Sequence, residues 1–184
     1  VGFFSSSSLL EISRGIGSLA KRGGCIELIA SPNLSDKDLE AISLGYKQRE
    51  EVIKGALISS LPPLEELDKD SQSRFNLLAN LIASGVLDIR IALVDKEGAV
   101  GIYHEKVALV EDDCGDKVAF SGSMNESKTA MVENYETIDV FCSWEDPQDR
   151  VSRKEASFDA IWSGRETGIA TYEFQEIKEI IRKR

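Results

Sequence analysis

The chain has 184 residues, of which 42% are hydrophobic and 29% are charged. This length and apolar content suffice for one domain with a substantial core and are short for two. Acidic residues outnumber basic residues by 32 to 22, which gives a formal net charge of −10. That charge argues against a general nucleic-acid binder, because contacts to phosphates require clustered positive charge, although it leaves room for a local basic groove.

Cysteine and histidine usage argues against a metal site. The three cysteines, Cys25, Cys114 and Cys142, lie far apart, and the chain has one histidine. Zinc normally requires a tighter cluster of ligands, so we predict no metal and no cofactor. Cysteines without a disulfide framework fit a reducing compartment, and no apolar run approaches the roughly 20 residues that cross a bilayer. We therefore expect a cytoplasmic protein without a membrane partner.

The first half of the sequence alternates between strand and helix patterns. Serines provide N-cap oxygens before the first helix, and glycines end it. The continuous apolar run that follows is typical of a buried strand. The predicted elements are a strand at residues 1–4, a helix from Leu9 to the glycines at 23 and 24, a strand at 25–30, a helix over 34–61 with a break near Gly45, and a helix over 70–83.

The second half begins with strands joined by turns and ends in helices. The predicted elements are strands at 87–93, 102–110, 117–120 and 135–141, then helices at 146–163 and 172–182. This order predicts an α/β fold, with a mixed β-sheet sandwiched between helices. The chain lacks an initiator methionine and stops within a helical stretch, so we expect residues 1–184 to be a single domain excised from a longer protein.

The histidine lies in the second of these strands, close to a lysine. If residues 102–110 form one strand, His104 and Lys106 point to the same face, because side chains alternate along a strand. A histidine beside a lysine on a buried strand is costly unless the pair holds an anion. A nucleophile next to a fixed cation is what phosphoryl transfer requires.

Two further segments supply polar groups at the ends of neighbouring strands. Ser123 and Asn125 follow the third strand and provide neutral donors, while Gly122 permits a close approach of the backbone. Glu136 opens the next strand. Its carboxylate is placed to accept a hydrogen bond from His104, which would fix the tautomer of the ring and leave the other nitrogen free to attack.

In this order, the segments resemble the signature of the phospholipase D superfamily. The matching motifs are His104-x-Lys106, Gly122-Ser123-x-Asn125 and Asn134-x-Glu136. The resemblance implies a metal-independent phosphodiesterase in which His104 attacks phosphorus to form a phosphohistidine, while a second histidine protonates the leaving oxygen. It implies that Lys106, Ser123 and Asn125 hold the phosphate oxygens. It also implies that Glu136 orients His104.

The family site contains two histidine motifs, whereas this chain has one. Members of the superfamily with a single copy form homodimers, in which each protomer contributes half of the site. The resemblance therefore implies a homodimer whose two-fold interface runs through the site, with His104 facing its symmetry mate.

The segments at residues 1–7 and 28–35 resemble a narrower group, the phospholipase D-like domain at the N-terminus of DEAD/DEAH-type helicases and restriction-type proteins. This resemblance implies an endonuclease acting on DNA, with a helicase domain in the same full-length chain. Two alternatives stay open. One is a nucleic-acid-binding module whose site holds DNA or phosphate with slow or no turnover. The acidic charge and Glu111, which stands where the family has aspartate, motivate the low turnover in this alternative. The other alternative is hydrolysis or transfer at a phospholipid head group.

Overall fold

The computed structural model describes residues 4, 6–53, 71–96, 99–123 and 135–181. The helices are α1 (Ser6–Glu11), α2 (Ser13–Lys21), α3 (Asp36–Ile53), α4 (Ser71–Ala83), α5 (Arg150–Trp162) and α6 (Phe174–Ile181). The strands are β1 (Ile26–Ala30), β2 (Leu87–Lys96), β3 (Ala99–Ile102), β4 (Val107–Glu111), β5 (Lys117–Gly122), β6 (Ile138–Cys142) and β7 (Ile169–Glu173). Of the strand predicted at residues 1–4, only Phe4 falls within the described residues.

The described strands form two sheets. In the first sheet, β2 runs parallel to β1 and antiparallel to β3 and β7. The second sheet is an antiparallel meander in the order β4-β5-β6. The predicted α/β fold is confirmed, with its strands divided between a mixed sheet and an antiparallel one.

The core lies on both faces of the first sheet. On one face, alternate residues of β2 pack against α3, α4 and α6, and Leu87, Ile89 and Ile91 are fully buried there. On the other face, Ala92 of β2 packs with Ile161 of α5 in a second, smaller cluster. Burial on both faces explains why β1 is a nearly continuous apolar run, whereas the first half of β2 alternates because Asp88 and Arg90 are only half-buried.

The helix predicted to break near Gly45 continues through that residue as α3. Gly45 is instead the point where α3 touches α4. A Cβ atom at this position would lie 2.7 Å from the carbonyl oxygen of Ala79 and 2.7 Å from the Cβ atom of Ile82. The glycine therefore allows the two helices to pack closely. From the sequence pattern alone, a glycine with this role cannot be distinguished from one that breaks a helix.

The prediction of a single strand over residues 102–110 is wrong. β3 ends at Ile102 and β4 begins at Val107, in a different sheet. The cause is competition for one edge of β2. Since β7 pairs with β2 from Arg90 to Val94, β1 and β3 must share the other edge. β3 meets the end of β1 there, and the chain leaves β2 after Ile102.

The helix predicted at 172–182 begins two residues later, at Phe174, and is preceded by a strand that the sequence analysis missed. β7 adds the antiparallel edge of the first sheet by pairing with β2. Its side chains include Ile169, Thr171 and Tyr172, residue types that favour strands.

Candidate active site

Four of the five predicted site residues lie at one end of the second sheet. His104 and Lys106 immediately precede β4, Ser123 follows β5, and Glu136 precedes β6. Because the strands are antiparallel neighbours, the start of β4, the end of β5 and the start of β6 lie side by side. Asn125, the fifth residue, lies outside the described residues, as does Asn134 of the third motif.

Main-chain hydrogen bonds tie these segments together beyond the ends of the strands. The amide of Gly122 donates to the carbonyl of Lys106, with an N···O distance of 3.3 Å. The amide of Ser123 donates to the carbonyl of Thr137 at 3.0 Å. The three motif segments therefore continue the ladder of the sheet, and the strand register fixes their relative positions.

The side chains of His104 and Lys106 lie in contact. The ammonium nitrogen of Lys106 is 3.0 Å from Nε2 and 3.2 Å from Nδ1 of His104. A lysine ammonium offers donors only, so a ring nitrogen that bonds to it must carry a lone pair, as in the neutral imidazole. His104 is exposed and Lys106 is half-buried. The pair is therefore reachable from solvent, contrary to the buried strand that we expected.

Ser123 and Glu136 form a second contact in the site. The hydroxyl of Ser123 donates to Oε2 of Glu136, and it accepts a hydrogen bond from the amide of Thr137 at 3.1 Å. The carboxylate is thus held against the serine of the second motif. That Glu136 orients His104 stays a prediction.

Gly122 is packed too closely for any side chain. A Cβ atom there would lie 2.0 Å from the carbonyl oxygen of Thr137 and 3.0 Å from the Cα atom of Ile138. Glycine is required at this position because the backbone at the start of β6, from the carbonyl of Thr137 to Ile138, occupies the space that a side chain would need. This close approach brings Ser123 within reach of Glu136.

A third contact, which the sequence analysis missed, lies behind the His104 segment. Tyr103 is 6% exposed and packs with Ile29 and Ala92, and its hydroxyl donates to Oε2 of Glu105 at 2.9 Å. Burial and the neighbouring carboxylate raise the pKa of Tyr103 above its usual range. Tyr103 and Glu105 alternate in the sequence with His104 and Lys106. This alternation could have predicted that the tyrosine and the glutamate lie together on the opposite side of the segment.

Glu111, which stands where the family has aspartate, has a structural contact. Its carboxylate lies 3.6 Å from the ammonium of Lys117, its partner residue on β5. The lysine also pairs with Glu155 of α5, and these contacts raise its pKa. Glu111 therefore helps to fasten β4 and β5 at the end of the strands opposite the site.

Within the described ranges, no three histidine, cysteine, aspartate or glutamate side chains are grouped to hold a metal ion. Cys25, Cys114 and Cys142 carry free thiols. None of the helices in the described part of the chain is long and apolar enough to cross a membrane.

An α/β fold whose His-x-Lys, Gly-Ser and Glu segments meet at one end of a sheet defines a domain of the phospholipase D class. Residues 3–162 match the profile of the family described as "Cardiolipin synthase, PLD-like domain", and the chain belongs to this family. A comparison with curated proteins found no match. Membership in the superfamily assigns phosphodiesterase-type chemistry to the chain.

Proposed function

We propose that this chain is a metal-independent phosphodiesterase, an endonuclease acting on DNA through a phosphohistidine intermediate in a site shared by two protomers. The observation that carries the proposal is the contact of His104 with Lys106, at the same sheet end as Ser123 and Glu136. A nucleophile, a cation and neutral donors are the groups that phosphoryl transfer uses.

In the first step, a ring nitrogen of His104 attacks phosphorus, and the bond between phosphorus and the leaving oxygen breaks. The partner's His104 gives its proton to that oxygen. In the second step, water attacks the phosphohistidine, loses a proton to the partner's His104, and breaks the bond between phosphorus and nitrogen. This returns both histidines to their starting forms, so no metal is consumed or required by the proposed steps.

The remaining site residues hold the phosphate. The ammonium of Lys106 opposes the charge on the phosphate oxygens, and the hydroxyl of Ser123 and the amide of Asn125 donate to them. Ser123 would exchange its bond to Glu136 for one to the phosphate. Glu136 would then accept a hydrogen bond from His104, which is the role that the family resemblance implies for it.

The count of histidines supports a homodimer. The two steps need one histidine as nucleophile and another as acid and base, whereas the chain has one. A second protomer related by a two-fold axis supplies the missing histidine. We propose that dimerisation is required for activity.

DNA is proposed as the substrate because residues 1–7 and 28–35 resemble the domain that precedes helicases in restriction-type proteins. In that context, a helicase domain in the same full-length chain would supply DNA affinity that a net charge of −10 does not favour. The free thiols of all three cysteines fit a cytoplasmic location.

Plasmid cleavage in the presence of EDTA tests the chemistry. We expect supercoiled plasmid to be nicked by the wild-type chain with the chelator present, and His104→Ala to abolish nicking. Lys178→Ala, on α6 and away from the site, is the matched control and should cleave like the wild type. Cleavage that disappears with EDTA and survives His104→Ala would refute the proposal. Tight, salt-sensitive DNA binding without cleavage would favour a binding module instead.

A mixing experiment tests whether the site is shared. Wild-type chain is mixed with an equal amount of His104→Ala at fixed total concentration and allowed to exchange subunits. A shared site needs two intact histidines, so activity should fall to about a quarter of the unmixed value, whereas independent sites would retain about half.

Phospholipid chemistry is the second candidate, favoured by the family description, which names cardiolipin synthase. The test measures the release or transfer of head groups from anionic phospholipid vesicles. Lipid turnover that is lost in His104→Ala, by a protein that leaves plasmid DNA intact, would establish phospholipid chemistry in place of nuclease activity.

A further inference from the structure

One face of the β4-β5-β6 sheet is apolar and exposed. Alternate residues of the three strands share this face, because side chains alternate along a strand and the register aligns them across it. We call it the open face; its members are Lys106, Ala108, Val110, Val118, Phe120, Gly122, Ile138, Val140 and Cys142. Val110 is 58% exposed, Val140 53% and Ile138 38%. Large aliphatic side chains exposed on both outer strands of one sheet, with Val118 and Phe120 half-buried between them, are unusual for a free surface.

The opposite face of the same sheet is covered by α5. Ala119, which points to that side, has no exposed surface. The guanidinium of Arg150 lies 4.4 Å from the ring centre of Phe141, and Lys117 pairs with Glu155. The sheet is thus covered on one side by its own chain, while among the described residues the open face lacks such a cover.

The open face is free of acidic side chains in a strongly acidic protein. The chain carries 32 acidic residues and a net charge of −10, yet the strand residues of this face are uncharged and Lys106 extends it with a positive charge. Two copies of such a chain repel each other over most of their surface. An apolar surface without carboxylates is where two copies can approach closely.

The open face also leads to the half-site. Lys106 belongs to it by alternation with Ala108, and its ammonium contacts His104. Any surface that joins two protomers and also brings together their histidines must include this end of the sheet. The open face meets both conditions.

We propose that the open face is the surface on which a second copy of this chain docks, with Val110, Ile138 and Val140 at its centre. This inference rests on the proposed shared site and names the surface that builds it. Apolar side chains of the two sheets pack against each other in a two-fold arrangement, which brings each His104 towards that of the partner. A nucleic acid does not suit the same surface, because its aliphatic side chains offer no contacts for phosphates.

Sedimentation velocity of wild-type chain, Val140→Glu and Val110→Glu tests the proposal. We expect the wild type to be a dimer. Each glutamate would place a charge against apolar side chains of the partner inside the interface, so the dissociation constant should rise by at least about 100-fold. Ile180→Glu, at an apolar position on α6 that is 64% exposed, is the matched control and should stay dimeric. Circular dichroism of all variants verifies that the fold is intact.

A wild-type chain that is monomeric at all accessible concentrations, or folded variants that dimerise like the wild type, would overturn the proposed surface. A monomeric wild type that floats with phospholipid vesicles, with floating lost in Val140→Glu, would assign the face to a membrane instead. The phosphodiesterase proposal is decided separately. A dimer that depends on Val140 but cleaves no substrate supports the surface and removes the activity.

Discussion

Gly122→Ala places a methyl group at the closest backbone approach in the candidate site. The new Cβ atom would lie 2.0 Å from the carbonyl oxygen of Thr137, whereas real Cβ contacts essentially never fall below 3.0 Å. The obstructing atom belongs to the backbone, so it cannot be relieved by a side-chain rotation. The start of β6 has to move away from the end of β5 by about 1 Å or more.

Two consequences follow, and they differ in size. The hydrogen bonds that join Ser123 to Thr137, at 3.0 Å and 3.1 Å, are stretched or lost. The substitution lies at the last residue pair between β5 and β6, so the clash is relieved by moving only the end of the sheet. We therefore expect a loss of about 1–3 kcal/mol in the free energy of unfolding. A displacement of about 1 Å in a site that positions a phosphate costs roughly 100-fold in activity.

The assay compares plasmid nicking in EDTA with unfolding by urea. Gly17→Ala is the matched control, since a Cβ atom there meets nothing within 4 Å. It lies in α2, where alanine should stabilise the helix by up to about 1 kcal/mol and leave nicking unchanged. A Gly122→Ala variant that folds normally and nicks at the wild-type rate would show that the approach of β5 and β6 does not position the site.

Three further substitutions test other parts of the structure. Glu27→Gln should raise the melting temperature at neutral pH, since burial, together with Asp159 and Asp88, outweighs the attraction of Arg90 and raises the pKa of Glu27 in the fold, which makes its ionised form unfavourable. The gain should vanish below about pH 4.5, where the unfolded state is protonated too; an equal gain at pH 3 would contradict this reasoning. Tyr103→Phe should lower kcat about 5-fold with little change in KM, because Glu105 loses the hydrogen bond behind the catalytic segment, and an unchanged kcat would argue against a positioning role. Gly45→Ala should lower the free energy of unfolding by about 1–3 kcal/mol by pushing α3 from α4, and urea melts that match the wild type would contradict the close packing.

Local patterns predicted most of the fold where one signal dominated. The apolar run at 25–30 became β1, and the helical period over 70–83 became α4. These segments are buried along a continuous face, so the spacing of their apolar residues directly indicates whether they form a strand or a helix. The pattern over residues 102–110 was equally regular, yet it spans two strands, because the end of β1 displaces the chain from the edge of β2.

The candidate site was predictable as a set of residues and less so as a set of contacts. Alternation predicted that His104 and Lys106 would lie together, and turn residues placed Ser123 at the end of a strand. The bond from Ser123 to Glu136 depends on the register between β5 and β6, which no local pattern specifies. The strand β7 was missed for a related reason, since its partner β2 lies far away in the sequence.

The meander that carries the site has a consequence for how the chain folds. Its partners are close in sequence, as in the pairing of Glu111 with Lys117 across a tight turn, whereas β1 and β7 must find β2 across long stretches of chain. Closing short loops costs less entropy, so we expect the meander to form early and the first sheet to close later. A nascent chain would then expose the apolar open face before its core is complete, and early dimerisation would shield that face from aggregation.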